Sequence, residues 1–317
     1  MSGPMHQSLR VREHVRLARD TYRIRLHGPE LAAAIRPGQF VMLRLPRTTD
    51  PLLGRPFALY DTVLEDGRPV AVDVVYLVVG KMTGRLVEVR PGESLEVWGP
   101  LGNDFAAPVP LSPVLRGEGL GVRGSCQGVR PTPSPPTPLP PSTGGEGSEI
   151  ATLPHVALVA GGIGQTPFLA YTRQLLGERG YAGDAPRRTA RKVSFYYGVR
   201  TAELAAGVED FRAAGAEVHL ASDDGTLGER GYVTGLLAKH EPPDLIVGCG
   251  PEPMLHALSR LAETMGRPCH VSLETPMACG VGICFSCVVK VKTVDGVDYK
   301  RCCIDGPVFD AARVEWG

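Results

Sequence analysis

Five of the eight cysteines in this 317-residue chain lie between Cys279 and Cys303. Cys279, Cys284 and Cys287 follow the spacing C-x4-C-x2-C, and a fourth thiol comes at Cys302 or Cys303. Four thiolates converging from one tight loop in this pattern suit a [2Fe–2S] cluster. Gly280 and Gly282 between them allow backbone conformations that a Cβ forbids, and let amide N–H groups approach the sulfurs. A structural zinc site is the alternative. Such sites more often use paired C-x2-C knuckles, and only one such knuckle occurs here. Spacing alone does not choose between Cys302 and Cys303.

A second chemical signal is the segment "VALVAGGIGQTPFLAYTRQLL", which reads as a strand, a glycine-rich turn and a helix. Gly161, Gly162 and Gly164 are expected to leave room for a cofactor phosphate at the positive end of the helix, with Thr166 as N-cap and Pro167 at the first helical position. The motif is not G-x-G-x-x-G, because Pro167 takes the third glycine's place. In "VGCGPEPML" another strand ends at Cys249 and Gly250. Gly250 would permit close approach of a nicotinamide, and Cys249 would sit beside it; a buried strand-end thiol is the other reading of Cys249. Asp223 and Asp224 read equally as ribose contacts or as solvated turn residues. No residue is assigned as a catalytic acid or base.

The elements that must position these groups fall into blocks. Residues 1–108 read as β: "QFVMLRLP" alternates Val41, Leu43 and Leu45 as a half-buried strand, and "VAVDVVYLVVG" and "SLEVWGPLG" follow, separated by Pro-Gly and Asp-Gly turns. Short strands at this spacing suggest a small closed barrel. Residues 109–152 break the pattern with seven prolines between Pro131 and Pro141. The expectation there is a disordered or polyproline-like insertion and linker, in which Cys126 is incidental. Residues 153–268 alternate β and α, implying a parallel sheet with helices on its faces. Residues 269–317 form a third, cysteine-rich module.

Composition narrows the function. Lys plus Arg and Asp plus Glu both number 34, so the net charge is zero and there is no excess of positive charge to meet nucleic-acid phosphates. No run of 18 apolar residues occurs to span a bilayer, and the N-terminal stretch lacks a signal-peptide apolar core; the expected location is the cytoplasm. Disulfides are rare there, which again directs the cysteines toward metal or redox chemistry.

"GRPFALY" resembles the flavin-binding signature of the ferredoxin reductase superfamily. The resemblance assigns Arg55 to a flavin diphosphate, Pro56 to a fixed backbone, and Phe57 and Ala58 to the isoalloxazine ring. "YLVVGKMTGRL" is similar to the second flavin segment, with Tyr76, Leu77, Val78, Gly80, Met82 and Thr83; Met82 stands where family members often carry glycine. Together with "GGIGQTP", "SDDGTLGERGYVT", "CGPEPML", "ETPMACGVGICFSCVV" and "CCIDGPVF", these segments resemble the electron-transfer subunits of NAD-dependent (class 1B) dihydroorotate dehydrogenase over nearly everything outside the insertion. The resemblance implies a ferredoxin reductase-like fold, FAD over FMN, NAD(H) as co-substrate, and Cys303 as fourth ligand beside Cys279, Cys284 and Cys287. It further implies a partner catalytic subunit that carries FMN and oxidises dihydroorotate in pyrimidine (UMP) biosynthesis, in a heterotetramer of two copies of each. Another subunit of the same architecture, an NAD(P)H–ferredoxin or sulfide dehydrogenase subunit, is the alternative.

Overall fold

The computed structural model describes residues 4–105 and 152–317. The expected insertion lies, but for its last residue, outside the described residues. The N-terminal block contains β1 (Met5–Ala18), β2 (Thr21–His27), α1 (Pro29–Ala34), β3 (Phe40–Arg44), β4 (Arg55–Glu65), β5 (Arg68–Leu77), α2 (Lys81–Leu86) and β6 (Ser94–Leu101). The strands are antiparallel neighbours and close in the order β1-β2-β5-β4-β3-β6. Alternation builds the interior: Leu9 and Val11, Ile24 and Leu26, Val72 and Val74, Leu95 and Val97 all point inward, and all are buried.

The strand β3 departs from the half-buried pattern. Val41 and Leu43 face the barrel interior, but Phe40 and Met42 on the opposite face are also buried. They pack, with Leu101, into a core shared with Met277, Cys287, Cys302 and Cys303. The outer face of β3 is therefore covered by the C-terminal residues rather than by water.

The second block is β7 (Leu153–Gly161), α3 (Phe168–Leu175), β8 (Ala190–Val199), α4 (Val208–Ala213), β9 (Glu217–Ser222), β10 (Glu229–Arg230), α5 (Val233–Leu237), β11 (Leu245–Cys249), α6 (Glu252–Met265) and β12 (Cys269–Ser272). Then come β13 (Val288–Thr293), β14 (Gly296–Arg301) and β15 (Val308–Asp310). The seven-stranded sheet runs β10-β9-β8-β7-β11-β12-β15. Its pairs are parallel except β12 with β15. From β7 the chain moves outward to β8, β9 and β10, then returns to β11 on the other side of β7. The loops at the carboxyl ends of β7 and β11 thus diverge, and such a switch point is where parallel sheets receive ligands. The expected module boundary at 269 falls at the start of β12, and β15 returns to the same sheet. The sheet therefore supplies both ends of the cysteine-rich segment, and the β13–β14 hairpin projects between them.

The Thr166 expectation needs correction. A 3-10 turn occupies Gly162–Gln165, Thr166 already has helical angles (φ −59°, ψ −41°), and α3 starts at Phe168. The tight turn takes up the residues that would otherwise have formed an extended entry, so no side chain caps this helix.

Candidate functional site

A cavity of about 430 Å³ opens between the barrel and the carboxyl ends of β7, β11 and β12. The barrel contributes Arg55, Pro56, Phe57 and Ala58 from β4, Tyr76 and Leu77 from β5, and Gly80, Met82 and Thr83 around α2. The sheet contributes Thr166 and Cys249. These two sets are far apart in sequence, and the fold brings them to one chamber. Val78 packs instead toward the barrel core. Arg55 is exposed, and its Nη1 donates to the carbonyls of Leu53 (3.2 Å) and Gly54 (3.0 Å), which steadies the guanidinium at the cavity wall. The hydroxyl of Thr83 accepts from the backbone N–H groups of Val79 (3.0 Å) and Gly80 (3.1 Å), so it caps α2.

The nucleotide-loop glycines do two different jobs. A Cβ on Gly164 would stand 2.3 Å from the carbonyl oxygen of Cys249, and one on Gly161 would stand 2.6 Å from Met254 Sδ. A Cβ on Gly250 would stand 3.0 Å from the nitrogen of Gly161. These three glycines let the β7 and β11 loops touch each other. Gly162, by contrast, faces open space.

Among the wall residues not singled out from sequence are Ser272, Glu274 and Thr275, at and just beyond the carboxyl end of β12. Glu274 reaches solvent through the cavity, yet protein surrounds it, and this burial pushes its carboxyl above the usual value. Burial, then the nearby Glu274, pushes the Cys249 thiol well up, so it is a neutral thiol in the wall. Thr275 Oγ1 is buried without a hydrogen-bond partner among the described residues. A cavity with an apolar floor, an arginine at its wall and an orphaned hydroxyl fits a ring-bearing cofactor with polar edges.

The cysteines gather beside this chamber. Gly280 and Gly282 adopt φ of +73° and +80°, conformations open to glycine, and the loop coils as expected. The Val281 N–H points at Cys279 Sγ at 3.4 Å. Cys287 Sγ and Cys303 Sγ are 3.2 Å apart, and Cys279 neighbours Cys284. Hydrogen bonding, first from Ser286, pulls Cys284 down to about 6, while burial pushes Cys303 up to about 12. Cys302 is fully buried next to the Thr275 hydroxyl. Among the described residues no three His, Cys, Asp or Glu side chains are grouped to hold a single metal ion. The thiols stand as two pairs, Cys279 with Cys284 and Cys287 with Cys303, and these sulfur donors fit an iron–sulfur cluster.

A flavin-sized chamber between a six-stranded barrel and a parallel nucleotide sheet, beside a three-thiol loop joined by Cys303, defines an oxidoreductase of the ferredoxin reductase type. Residues 8–105 match the oxidoreductase FAD-binding domain, and residues 274–315 match the iron–sulfur cluster binding domain of dihydroorotate dehydrogenase B. The electron transfer subunit of dihydroorotate dehydrogenase B (NAD(+)) from Bacillus caldolyticus is 33% identical over 299 residues, 94% of each chain. That from Desulforamulus reducens is 31% identical over 304 residues, 95% of this chain and 94% of its own. The chain belongs to this family of electron transfer subunits. Among solved structures, the NADH-dependent reduced ferredoxin-NADP oxidoreductase superposes with a TM-score of 0.71 at 26% identity, covering 98% of this chain and 90% of that one. Phthalate dioxygenase reductase, at 15% identity, a TM-score of 0.51 and coverage of 98% and 95%, shares the fold.

Proposed function

We propose that this chain carries electrons between a dihydroorotate-oxidising partner and NAD⁺, with FAD in the barrel–sheet chamber and a [2Fe–2S] cluster on Cys279, Cys284, Cys287 and Cys303. The observation that carries the reading is continuity: Phe40 and Met277 line the chamber and pack in one core with Cys287 and Cys303. A flavin exchanges electrons singly or in pairs and a cluster singly, so the two together join a hydride carrier to a one-electron donor.

The chain's own residues prepare this chemistry. Arg55 supplies fixed positive charge for the FAD diphosphate, and Pro56, Phe57 and Ala58 form the ring's seat. Gly162 leaves space at the nucleotide turn. Cys249, Ser272 and Glu274 form the wall facing the barrel, where a nicotinamide must come within roughly 3–3.5 Å of its redox partner. Ser286 and the backbone N–H of Val281 hold the sulfurs of Cys284 and Cys279.

The partner in this reading is a separate FMN-containing catalytic subunit, in a heterotetramer of two copies of each, in the cytoplasm. Eight of the thirteen large exposed apolar side chains among the described residues lie between Val281 and Ile304, which supports docking at the cluster loop. The NAD(P)H–ferredoxin or sulfide dehydrogenase alternative is not favoured, since the full-length relatives are dihydroorotate dehydrogenase subunits.

Anaerobically purified protein is expected to show flavin absorption together with cluster absorption, and about two irons per chain. Dihydroorotate is expected to reduce NAD⁺ only when the catalytic subunit is added. A colourless protein holding one zinc would overturn the reading.

A further inference from the structure

Trp98 occupies the ground between the two cofactor sites. It sits on β6, half-buried, and its indole Nε1 donates to the carbonyl oxygen of Cys279 at 3.0 Å. Cys279 is the first thiol of the loop. The far edge of the same indole meets Gly54, the residue immediately before Arg55. A Cβ built on Gly54 would stand 2.5 Å from Trp98 Cη2 and 2.9 Å from the carbonyl oxygen of Leu43. The backbone of the flavin-side turn therefore lies directly against the ring, and no larger residue fits there without moving it.

Neighbouring strands complete the bracket. Met42 on β3 pairs with Trp98 across the sheet. A Cβ on Gly280 would stand 2.7 Å from Met42 Cγ and 3.0 Å from Leu101 Cδ1, so the residue after Cys279 is seated on the same two strands. Tryptophan is the side chain that provides both a broad ring and an N–H donor on its rim. Phenylalanine would keep much of the packing and leave the Cys279 carbonyl without its donor.

Resting on the functional reading above, we propose that Trp98 is a positioning residue that couples the flavin-side turn to the cluster loop, holding Cys279 through its N–H and Gly54 through its ring edge. Two consequences follow from elementary electrostatics and packing. The N–H fixes the backbone carbonyl of Cys279, and with it the direction of that residue's thiol and of the Val281 N–H that points at its sulfur; the hydrogen bonds to the sulfurs help set a cluster's potential. A displacement of the turn at Gly54 reaches Cys279 through a rigid ring rather than through the chain.

The test uses the full-length protein carrying both cofactors, as the wild type and as the variants Trp98→Phe, Gly54→Ala and the two combined. Trp98→Phe is expected to keep wild-type flavin and iron content, to shift the cluster midpoint, and to change the electron paramagnetic resonance spectrum of the reduced cluster. Gly54→Ala is expected to change the same spectrum by pushing the ring edge. In the double variant the smaller phenyl removes the ring contact, although the new methyl still meets the Leu43 carbonyl, so Gly54→Ala should change the spectrum and midpoint less in the Trp98→Phe background than in the wild type, a non-additive result. An unaltered cluster spectrum and midpoint in Trp98→Phe would overturn the proposal even if that variant melts earlier. Strictly additive effects in the double variant would overturn it as well. Should Trp98→Phe fail to fold, an unchanged cluster spectrum in Gly54→Ala has the same force. Absence of flavin and iron from the wild type would instead defeat the functional reading, which separates the two failures.

Discussion

Cys302 and Cys303 are adjacent and both fully buried, yet they face different neighbours. Cys303 lies 3.2 Å from Cys287, sulfur to sulfur, whereas Cys302 is packed beside Thr275. Cys303→Ser is therefore expected to lose cluster iron, and Cys302→Ser to retain it while losing about 1–3 kcal/mol of stability from a buried hydroxyl. Iron analysis with a denaturant titration checks both; iron loss on the Cys302 change would reverse the assignment. Three of the proposed ligands stand out in the sequence because one short loop carries them at a fixed spacing. The proposed fourth does not stand out from spacing, because it follows β14, where the turn decides which of two neighbours points at the loop. Glu274 was missed for a related reason: nothing local marks an acid as the wall of a chamber completed by the barrel. Its burial raises the carboxyl in the folded chain, so folding favours the protonated form. That contribution is present below the usual carboxylate range and is lost as pH rises through the raised value. Glu274→Gln is expected to raise the melting temperature modestly at pH 8, with the gain shrinking as pH falls. A gain that grows toward acid would contradict this sign.

The joint between barrel and sheet is made of charged groups that belong to different elements. Asp61 on β4 is buried, and its carboxylate pairs with Arg173 on α3 at 3.1 Å and with Arg179 at 3.0 Å. It also accepts a hydrogen bond from Tyr181 Oη at 2.8 Å. Nearby, Tyr60 Oη donates to Asp210 on α4 at 2.5 Å. Removing one member of such a group leaves guanidinium charge uncompensated in a poorly hydrated place. Asp61→Ala is therefore expected to cost about 3–5 kcal/mol in urea unfolding and to weaken flavin retention, since the chamber lies at the same joint. A loss below about 1 kcal/mol would mean the pair is solvated and the joint held by apolar contacts alone. The strands and helices were largely legible, because alternation in the barrel and β–α switching in the sheet are local patterns. The joint was not: an aspartate inside "ALYDTVLE" carries no local sign that its partners lie more than a hundred residues away. The buried outer face of β3 was hidden for the same reason, since its cover comes from the far end of the chain.

Across the whole molecule, the order of parts constrains how electrons leave it. The chamber is set between barrel and sheet, while the thiol loop stands at the surface, with Cys284 exposed. Around that loop Ile283 and Phe285 are 77% and 63% exposed, although both are residues that normally seek a core. Next to them, Arg301 lies over the Phe285 ring, 5.4 Å from its centroid, holding it outward. This architecture was readable in outline from the sequence, because three blocks with different periodicity follow one another. The apolar rim was not, since "GVGICFSC" reads equally as core until the loop is seen to be wrapped by its own glycines. An exposed apolar rim beside a one-electron site has a direct use: it excludes water where a partner must approach closely. Replacing both Ile283 and Phe285 by Glu is thus expected to weaken binding of the catalytic subunit at least tenfold, as loss of two central anchors generally does. NADH-driven reduction of the flavin in the isolated chain is expected to stay at the wild-type rate, because both side chains point away from the chamber. Titration calorimetry of the two subunits, with a stopped-flow record of flavin bleaching, separates the effects. Undiminished affinity in the double variant would place the partner on another face of the protein.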